Sequence, residues 1–101
     1  MIATKPPSAC RDMAEIRGEI DRIDRALIGI LAERAGFIDR AAEVKSDLGL
    51  PARLDDRVAE VMERVTGHSR ELGLDPVLAE DIWRRLIDWS IAREERVLNP
   101  E

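Results

Sequence analysis

Charged side chains interrupt the apolar stripes of this sequence, and these interruptions are the positions where chemistry can occur. Arg34 stands where a series that steps by three and four, from Ile30 to Phe37, calls for an apolar residue. Arginine does not lose its charge in proteins, so a guanidinium on an inward helix face needs an anionic partner. That partner is either an acidic side chain of another helix or an anionic ligand.

Two further cations relate to Arg34 by helical geometry. Lys45 follows it by 11 residues, about three full turns, so both project from one face about 16 Å apart along the axis, with room for an anion between them. Arg17 precedes Arg34 by about 25 Å and a quarter-turn, which is too far for one small ligand within a single chain. In an antiparallel pair of such helices, Arg17 of the partner chain comes alongside Arg34 and completes a composite site.

The last predicted helix carries a matching interruption. Its apolar stripe through Ile87 continues into Ser90 and Glu94, so polar groups face a core that also receives the cations. Glu94 either pairs with one of those cations or lines a ligand cavity together with them.

The long helix that positions the cations is predicted for residues 12–47, which contain no proline. Asp12 and Glu15 predict a capping box at its start, and the segment DLGLP at 47–51 predicts its end. The apolar stripe consists of Met13, Ile16, Ile20, Ile23, Leu27, Ile30, Phe37, Ala41, Val44 and Leu48.

Two shorter helices follow. The second begins at LDDR and ends near ELGLDP, where Gly73 suits a left-handed conformation, Asp75 suits an N-cap and Pro76 suits the first helical position. The third runs to about Val97. The predicted fold is therefore all-α, with one long and two shorter helices.

The unequal helix lengths predict a partner chain. A helix of about 35 residues is roughly 50 Å long, whereas a compact chain of this size has a radius of gyration of about 13 Å. A monomer would expose much of the stripe to water. We therefore predict an intertwined homodimer. The competing prediction is a monomer whose first helix is kinked near Gly36.

Composition narrows the functional classes. The 101 residues indicate one domain, 12–98, after a flexible lead, 1–11. A net charge of -5 argues against nonspecific binding of nucleic acid. No apolar run approaches the length of a membrane-spanning helix. One cysteine, Cys10, and the lack of an apolar leader predict a cytoplasmic protein. No Cys/His pair, metal cluster or Gly-rich loop occurs, so we predict neither metal nor cofactor.

The segments IRGEIDRID, LAERAGFIDRAAEVK, DDRV, LGLDP and LIDWSIAREE together resemble the all-helical chorismate mutase family, including its isochorismate-pyruvate lyase relatives. The similarity covers about 12–97. It implies an intertwined helical dimer and a [3,3] rearrangement of a chorismate-like dianion. It also implies that Arg17 of the partner chain and Arg34 clamp two carboxylates, and that Lys45 contacts the ether oxygen and a carboxylate.

The resemblance implies three more roles, and one of them departs from the family. Arg57 adds positive charge to the substrate site, and Ser90 lines the end of that site that holds the ring carboxylate. Glu94 falls where the family usually has a glutamine that donates a hydrogen bond to the ether oxygen. An ionised Glu94 cannot donate, so it must be protonated, which burial favours and nearby cations oppose. We therefore expect turnover to rise at acidic pH.

A second departure concerns the substrate. Mutases of the family place acidic residues near the start of the second helix to bind the C4 hydroxyl, and Leu54 and Val58 occupy the matching positions. Rearrangement of chorismate, or of a C4 variant such as 4-amino-4-deoxychorismate, is our first prediction. Isochorismate-pyruvate lyases resemble this sequence in RVA and around Trp89, so elimination is the alternative. A non-enzymatic helical dimer or adaptor is the third.

Overall fold

The computed structural model describes residues 5–100, and every regular element in that range is helical. A short 3-10 helix, Pro7–Ala9, precedes α1 (Met13–Leu48), α2 (Asp55–Leu72) and α3 (Pro76–Leu98). The predicted fold class, with one long and two shorter helices, is confirmed. The first four residues of the predicted lead lie outside the described range, and its flexibility stays a prediction. Residue 36 is α-helical, like the rest of α1.

Both ends of α1 follow the sequence signals. Asp12 Oδ1 accepts a hydrogen bond from the Glu15 amide at 2.9 Å, as a capping box requires. The Glu15 carboxylate accepts from the Arg11 amide at 2.6 Å, one residue earlier than the reciprocal bond of that motif. At the other end, Gly49 has φ +69° and the Leu50 amide donates to the Lys45 carbonyl at 2.9 Å. This left-handed glycine terminates the helix.

The turn between α2 and α3 matches its prediction residue by residue. Gly73 has φ +80°, and the following amide, that of Leu74, donates to the Ser69 carbonyl at 2.8 Å. Asp75 Oδ1 accepts from the Val77 amide at 2.9 Å, and Pro76 occupies the first helical position. The local sequence is therefore sufficient to stop one helix and start the next.

The chain divides into two compact units, and the first extends to Ala35. Its described part holds the 3-10 helix and the beginning of α1. Lys5 Nζ lies 3.2 Å from Glu15 Oε2, and the pKa of Glu15 is lowered by the Arg11 amide and by Lys5. Much of the apolar stripe is open to solvent in this unit, since Ile20 and Ile23 are each about half exposed.

The second unit spans residues 36–101 and contains the end of α1 together with α2 and α3. α2 and α3 pack directly on each other. Small side chains dominate its interior, and no large side chain of the described residues is completely buried. Three polar side chains are also buried in this unit. The buried residues are Ala42, Ala52, Val65, Ala79 and Ile87, with Ser69, Ser90 and Glu94.

An exposed ion pair joins α1 to α3 within the second unit. Arg93 Nε donates to Asp39 Oδ1 at 2.8 Å, although the two residues are 54 positions apart. The contact therefore links two helices rather than neighbouring positions of one helix. The Arg93 hydrogen bond lowers the pKa of Asp39 below its ordinary value of 3.8. None of the helices in residues 5–100 is both long and apolar enough to cross a membrane.

Replacing Asp39 with asparagine is expected to lower the free energy of unfolding in a pH-dependent way. Because the pKa of Asp39 is depressed in the folded state, its stabilising effect is complete above pH 3.8 and disappears as the pH falls through the lowered value. Urea denaturation of the parent and of Asp39→Asn should differ at pH 7 and converge near pH 2. Asp24→Asn, also exposed in mid-helix, is the control. A parent-to-variant difference independent of pH would contradict the assignment.

Candidate active site

The structure brings Lys45 and Glu94 into contact. Lys45 Nζ lies 2.6 Å from Glu94 Oε1, and the two side chains are only 17% and 5% exposed. Sequence reasoning placed both groups on inward faces but left open whether Glu94 would meet a cation or a ligand. The structure shows the first of these alternatives, within the second unit.

Local sequence explains why the pair meets. Lys45 lies in the last turn of α1, where a cation interacts favourably with the helix dipole, four residues before the terminating Gly49. Glu94 and Ser90 share the buried face of α3 with Ile87, at spacings of three and four residues. The Ser90 hydroxyl donates to the Leu86 carbonyl at 2.7 Å, which fixes it one turn before Glu94.

A backbone carbonyl holds Lys45 from a second side. Lys45 Nζ donates to the Ala52 carbonyl at 2.7 Å, and Ala52 is itself buried in the connection between α1 and α2. Sequence analysis did not find this contact, because every residue has a carbonyl and no residue type marks the one that is used. An ammonium group has three N–H donors, so two remain to be directed at Glu94 or at a ligand.

The carboxylate of Glu94 has unused hydrogen-bonding capacity. Its Oε1 atom makes the close ionic contact with Lys45 Nζ, and within residues 5–100 no donor forms a hydrogen bond to this buried atom. A buried acceptor in this condition costs free energy. Protonation of the carboxyl, or its replacement by an amide, turns this group into a donor.

An open cavity lies beside Lys45. It has a volume of about 390 Å³ and is bounded by the α1–α2 connection, through Leu50 and Pro51, and by Leu98 at the end of α3. Its size falls within the range of small-molecule sites.

The predicted α2 residues occupy three different environments. Leu54 precedes the first helical residue and is half-buried. Val58, also half-buried, lines a second cavity of about 140 Å³. The other lining residues are the apolar Met62 and Ile87 and the charged Arg53, Arg84 and Asp88. Arg57 is exposed, and its Nη1 atom donates to Glu60 Oε1. No carboxylate stands at positions 54 and 58 to accept from a ring hydroxyl.

Arg17 and Arg34 belong to the first unit, on the portion of α1 before residue 36. Arg17 is exposed and Arg34 is half-buried. Their action as a clamp, with Arg17 supplied by a partner chain, stays a prediction. Among residues 5–100, no group of three or more His, Cys, Asp or Glu side chains is arranged to hold a metal ion.

Comparison with known proteins gives a consistent family. A family profile described as chorismate mutase type II matches residues 16–95, which contain both Lys45 and Glu94. An isochorismate pyruvate lyase from Pseudomonas aeruginosa is 33% identical over 89% of this chain and 88% of its own length. A chorismate mutase from Methanocaldococcus jannaschii is 30% identical over 85% of this chain and 87% of its own length.

A longer relative contains the same region as part of a larger protein. The T-protein of Enterobacter agglomerans is 34% identical over 82% of this chain, and the aligned region spans 22% of the T-protein. The chain therefore corresponds to about a fifth of that relative and to nearly the full length of the two smaller ones.

Removing one member of the Lys45–Glu94 pair is expected to destabilise the fold more than removing both. Lys45→Met leaves an uncompensated buried carboxylate and should lower the free energy of unfolding by about 3 kcal/mol at pH 7. Glu94→Leu leaves the Lys45 ammonium without its anionic partner in the same way. The double variant replaces the pair with apolar side chains and should recover most of the lost free energy of unfolding. Urea denaturation of the four proteins measures this coupling. Additive effects of the two substitutions would show that the pair does not interact.

Proposed function

Because the chain belongs to the chorismate mutase type II family, we propose that it catalyses a [3,3]-sigmatropic rearrangement of a chorismate-like dianion. The substrate is chorismate or a C4 variant such as 4-amino-4-deoxychorismate, and the product is of the prephenate type. The observation that carries the proposal is the family match, whose range includes Lys45. Lys45 is held between Glu94 and the Ala52 carbonyl and lines an open cavity.

The residues of the proposed site match the two requirements of this reaction. A pericyclic rearrangement uses no nucleophile, and it is accelerated by holding a flexible dianion in a folded conformation. It is also accelerated by positive charge near the ether oxygen, on which negative charge develops as the C–O bond breaks. A preorganised donor at that oxygen contributes about 3 kcal/mol.

Lys45 is suited to contact the ether oxygen because neighbouring groups already fix the position of its ammonium group. The Ala52 carbonyl and Glu94 fix the ammonium on two sides, so little reorganisation is needed when a ligand accepts from a remaining N–H. In the proposed site, Arg34, Arg57 and the partner chain's Arg17 bind the carboxylates, for which planar guanidinium groups are well matched. Ser90 lines the end that holds the ring carboxylate.

Glu94 makes the proposed reaction sensitive to pH. While ionised, it neutralises Lys45 and cannot donate to the ether oxygen; once protonated, it donates and leaves the lysine charge available to the substrate. We therefore expect kcat/KM to increase as the pH falls from 8 to 5.

Glu94→Gln tests this dependence directly. The amide donates at every pH, so the variant should keep its activity up to pH 8 and exceed the parent there by about tenfold or more in kcat/KM. Glu95→Gln makes the same charge change on the exposed neighbouring residue and serves as the control. A flat profile between pH 5 and 8 in both the parent and Glu94→Gln would place Glu94 away from the ether oxygen.

Isochorismate-pyruvate lysis is the second candidate. It is favoured by the relative of that name, which aligns over 88% of its length, and by the apolar side chains at positions 54 and 58. Neither side chain can accept from a C4 hydroxyl, and a hydroxyl stripped of water without a new acceptor weakens binding. A substrate whose hydroxyl is elsewhere on the ring avoids this loss.

A three-substrate panel tests the proposed function. The protein is incubated with chorismate, isochorismate or 4-amino-4-deoxychorismate, substrate loss is followed by ultraviolet absorbance, and products are separated by chromatography. A prephenate-type product supports the mutase, whereas salicylate with pyruvate supports the lyase. Absence of turnover with all three compounds, in a protein shown to be folded, would favour a non-enzymatic helical adaptor.

The proposed enzyme is an intertwined homodimer in which the first parts of α1 pair. Leu27 and Ile30 are 49% and 62% exposed, and with Ile20 and Ile23 they continue an apolar stripe. A second copy of the same helix offers a complementary apolar stripe, and burying both removes this area from water. In the proposed dimer, the partner chain supplies Arg17, as the family resemblance implies.

Mixing two inactive variants tests whether the site is shared. Arg17→Gln and Lys45→Gln should each abolish most turnover, but a heterodimer of the two contains one site with both cations intact. Co-refolding equal amounts should therefore restore about a quarter of the parent activity, since half of the dimers are mixed and each has one complete site. Refolding each variant alone is the control. No recovery, in dimers shown to be mixed, would place Arg17 and Lys45 in the same subunit's site.

A further inference from the structure

We infer that Glu60 is a positioning residue that holds Arg57 in the unliganded enzyme and releases it to the substrate. The inference rests on the proposed function, since Arg57 is there one of the cations that bind the dianion. It adds a residue with a defined effect on substrate affinity, on the outer face of α2.

A carboxylate between two arginines is the observation behind this inference. Arg57 Nη1 donates to Glu60 Oε1, and Arg64 Nη2 lies 3.5 Å from Glu60 Oε2. The three residues stand three and four positions apart on α2, which is the spacing that brings side chains together on one helix face. Each oxygen of Glu60 thus has its own cation.

This arrangement makes the release of Arg57 inexpensive. All three side chains are about half exposed or more, and exposed ion pairs are weak because water and salt screen them. When Arg57 leaves, Glu60 retains Arg64 as a counter-ion, so no carboxylate is left alone. The pKa of Glu60 is lowered first by the Arg57 hydrogen bond and then by the charge of Arg64, so the carboxylate stays ionised at neutral pH.

The exposed pair on α2 differs from the buried pair at Lys45. Lys45 keeps the Ala52 carbonyl as a fixed partner, so its position does not depend on Glu94 alone. Arg57 has a flexible side chain at an exposed position, and its contact with Glu60 competes with the substrate carboxylate for the same guanidinium. Glu60 therefore raises the substrate concentration needed for saturation without entering the reaction.

Steady-state kinetics of Glu60→Gln test the inference. Removing the competing charge should lower KM by about two- to fivefold, with kcat unchanged, at low ionic strength. Arg64→Gln should raise KM by a similar factor, because Glu60 then has only Arg57 as a partner. In the Glu60→Gln background, Arg64→Gln should have no further effect.

Two controls separate local release from a general effect of charge. Glu63→Gln removes an exposed carboxylate of α2 that has the same charge, and local release predicts no change in KM. A long-range electrostatic effect instead predicts that Glu63→Gln lowers KM and that the Arg64 effect persists in the double variant. Either of those results, or an unchanged KM in Glu60→Gln, overturns the inference.

The failures of the two proposals can be told apart. If the parent converts none of the three panel substrates, the proposed function fails and the role of Glu60 falls with it. If the parent is active and Glu60→Gln has the parent's KM, only the inference about Glu60 fails. A reduced kcat in Glu60→Gln with unchanged KM would also overturn it, because a positioning role for a binding cation acts on KM.

Discussion

The buried contact between Lys45 and Glu94 constrains the rest of the second unit. Two charges removed from water cost several kcal/mol each unless they are paired at short range. The end of α1 must therefore meet the buried face of α3, and the connection after Gly49 must bring the Ala52 carbonyl to the same ammonium. Two small residues next to Lys45 are also buried: Ala42, one turn earlier on α1, and Ala52, whose carbonyl accepts from the ammonium.

Two cations of the proposed site, Lys45 and Arg57, each have an anionic partner within the chain. Lys45 is held by Glu94 in the interior, and Arg57 is held by Glu60 on the surface. The chain has a net charge of -5, so acidic side chains are available to pair with its cations. Fixed internal partners define their positions, and the cost of exchange depends on burial. The exposed pair separates at little cost, whereas separating the buried pair costs more unless a new partner replaces the lost contact.

Sequence reasoning predicted the helices and their ends because the signals are local. Gly49, Gly73 and Asp75 act through their own backbone or side-chain geometry, and the three- and four-residue periodicity placed Glu94 on an inward face. The identity of partners was not predictable in the same way. The pairing of Asp39 with Arg93 links positions 54 residues apart, so it depends on helix packing that no local pattern encodes.

Positions 54 and 58, at the start of α2, carry no side-chain acceptor for a C4 hydroxyl. Leu54 and Val58 stand where the family resemblance assigns carboxylates to the C4 hydroxyl, and they provide surface but no acceptor. A hydroxyl that faces these two side chains gains no hydrogen bond from them, and a buried hydroxyl without any partner costs about 1–3 kcal/mol. A ring with no polar group at that point loses nothing. In the proposed reaction, Leu54 and Val58 therefore give a C4 hydroxyl no side-chain acceptor, and recognition of the substrate falls to the cations that bind its carboxylates.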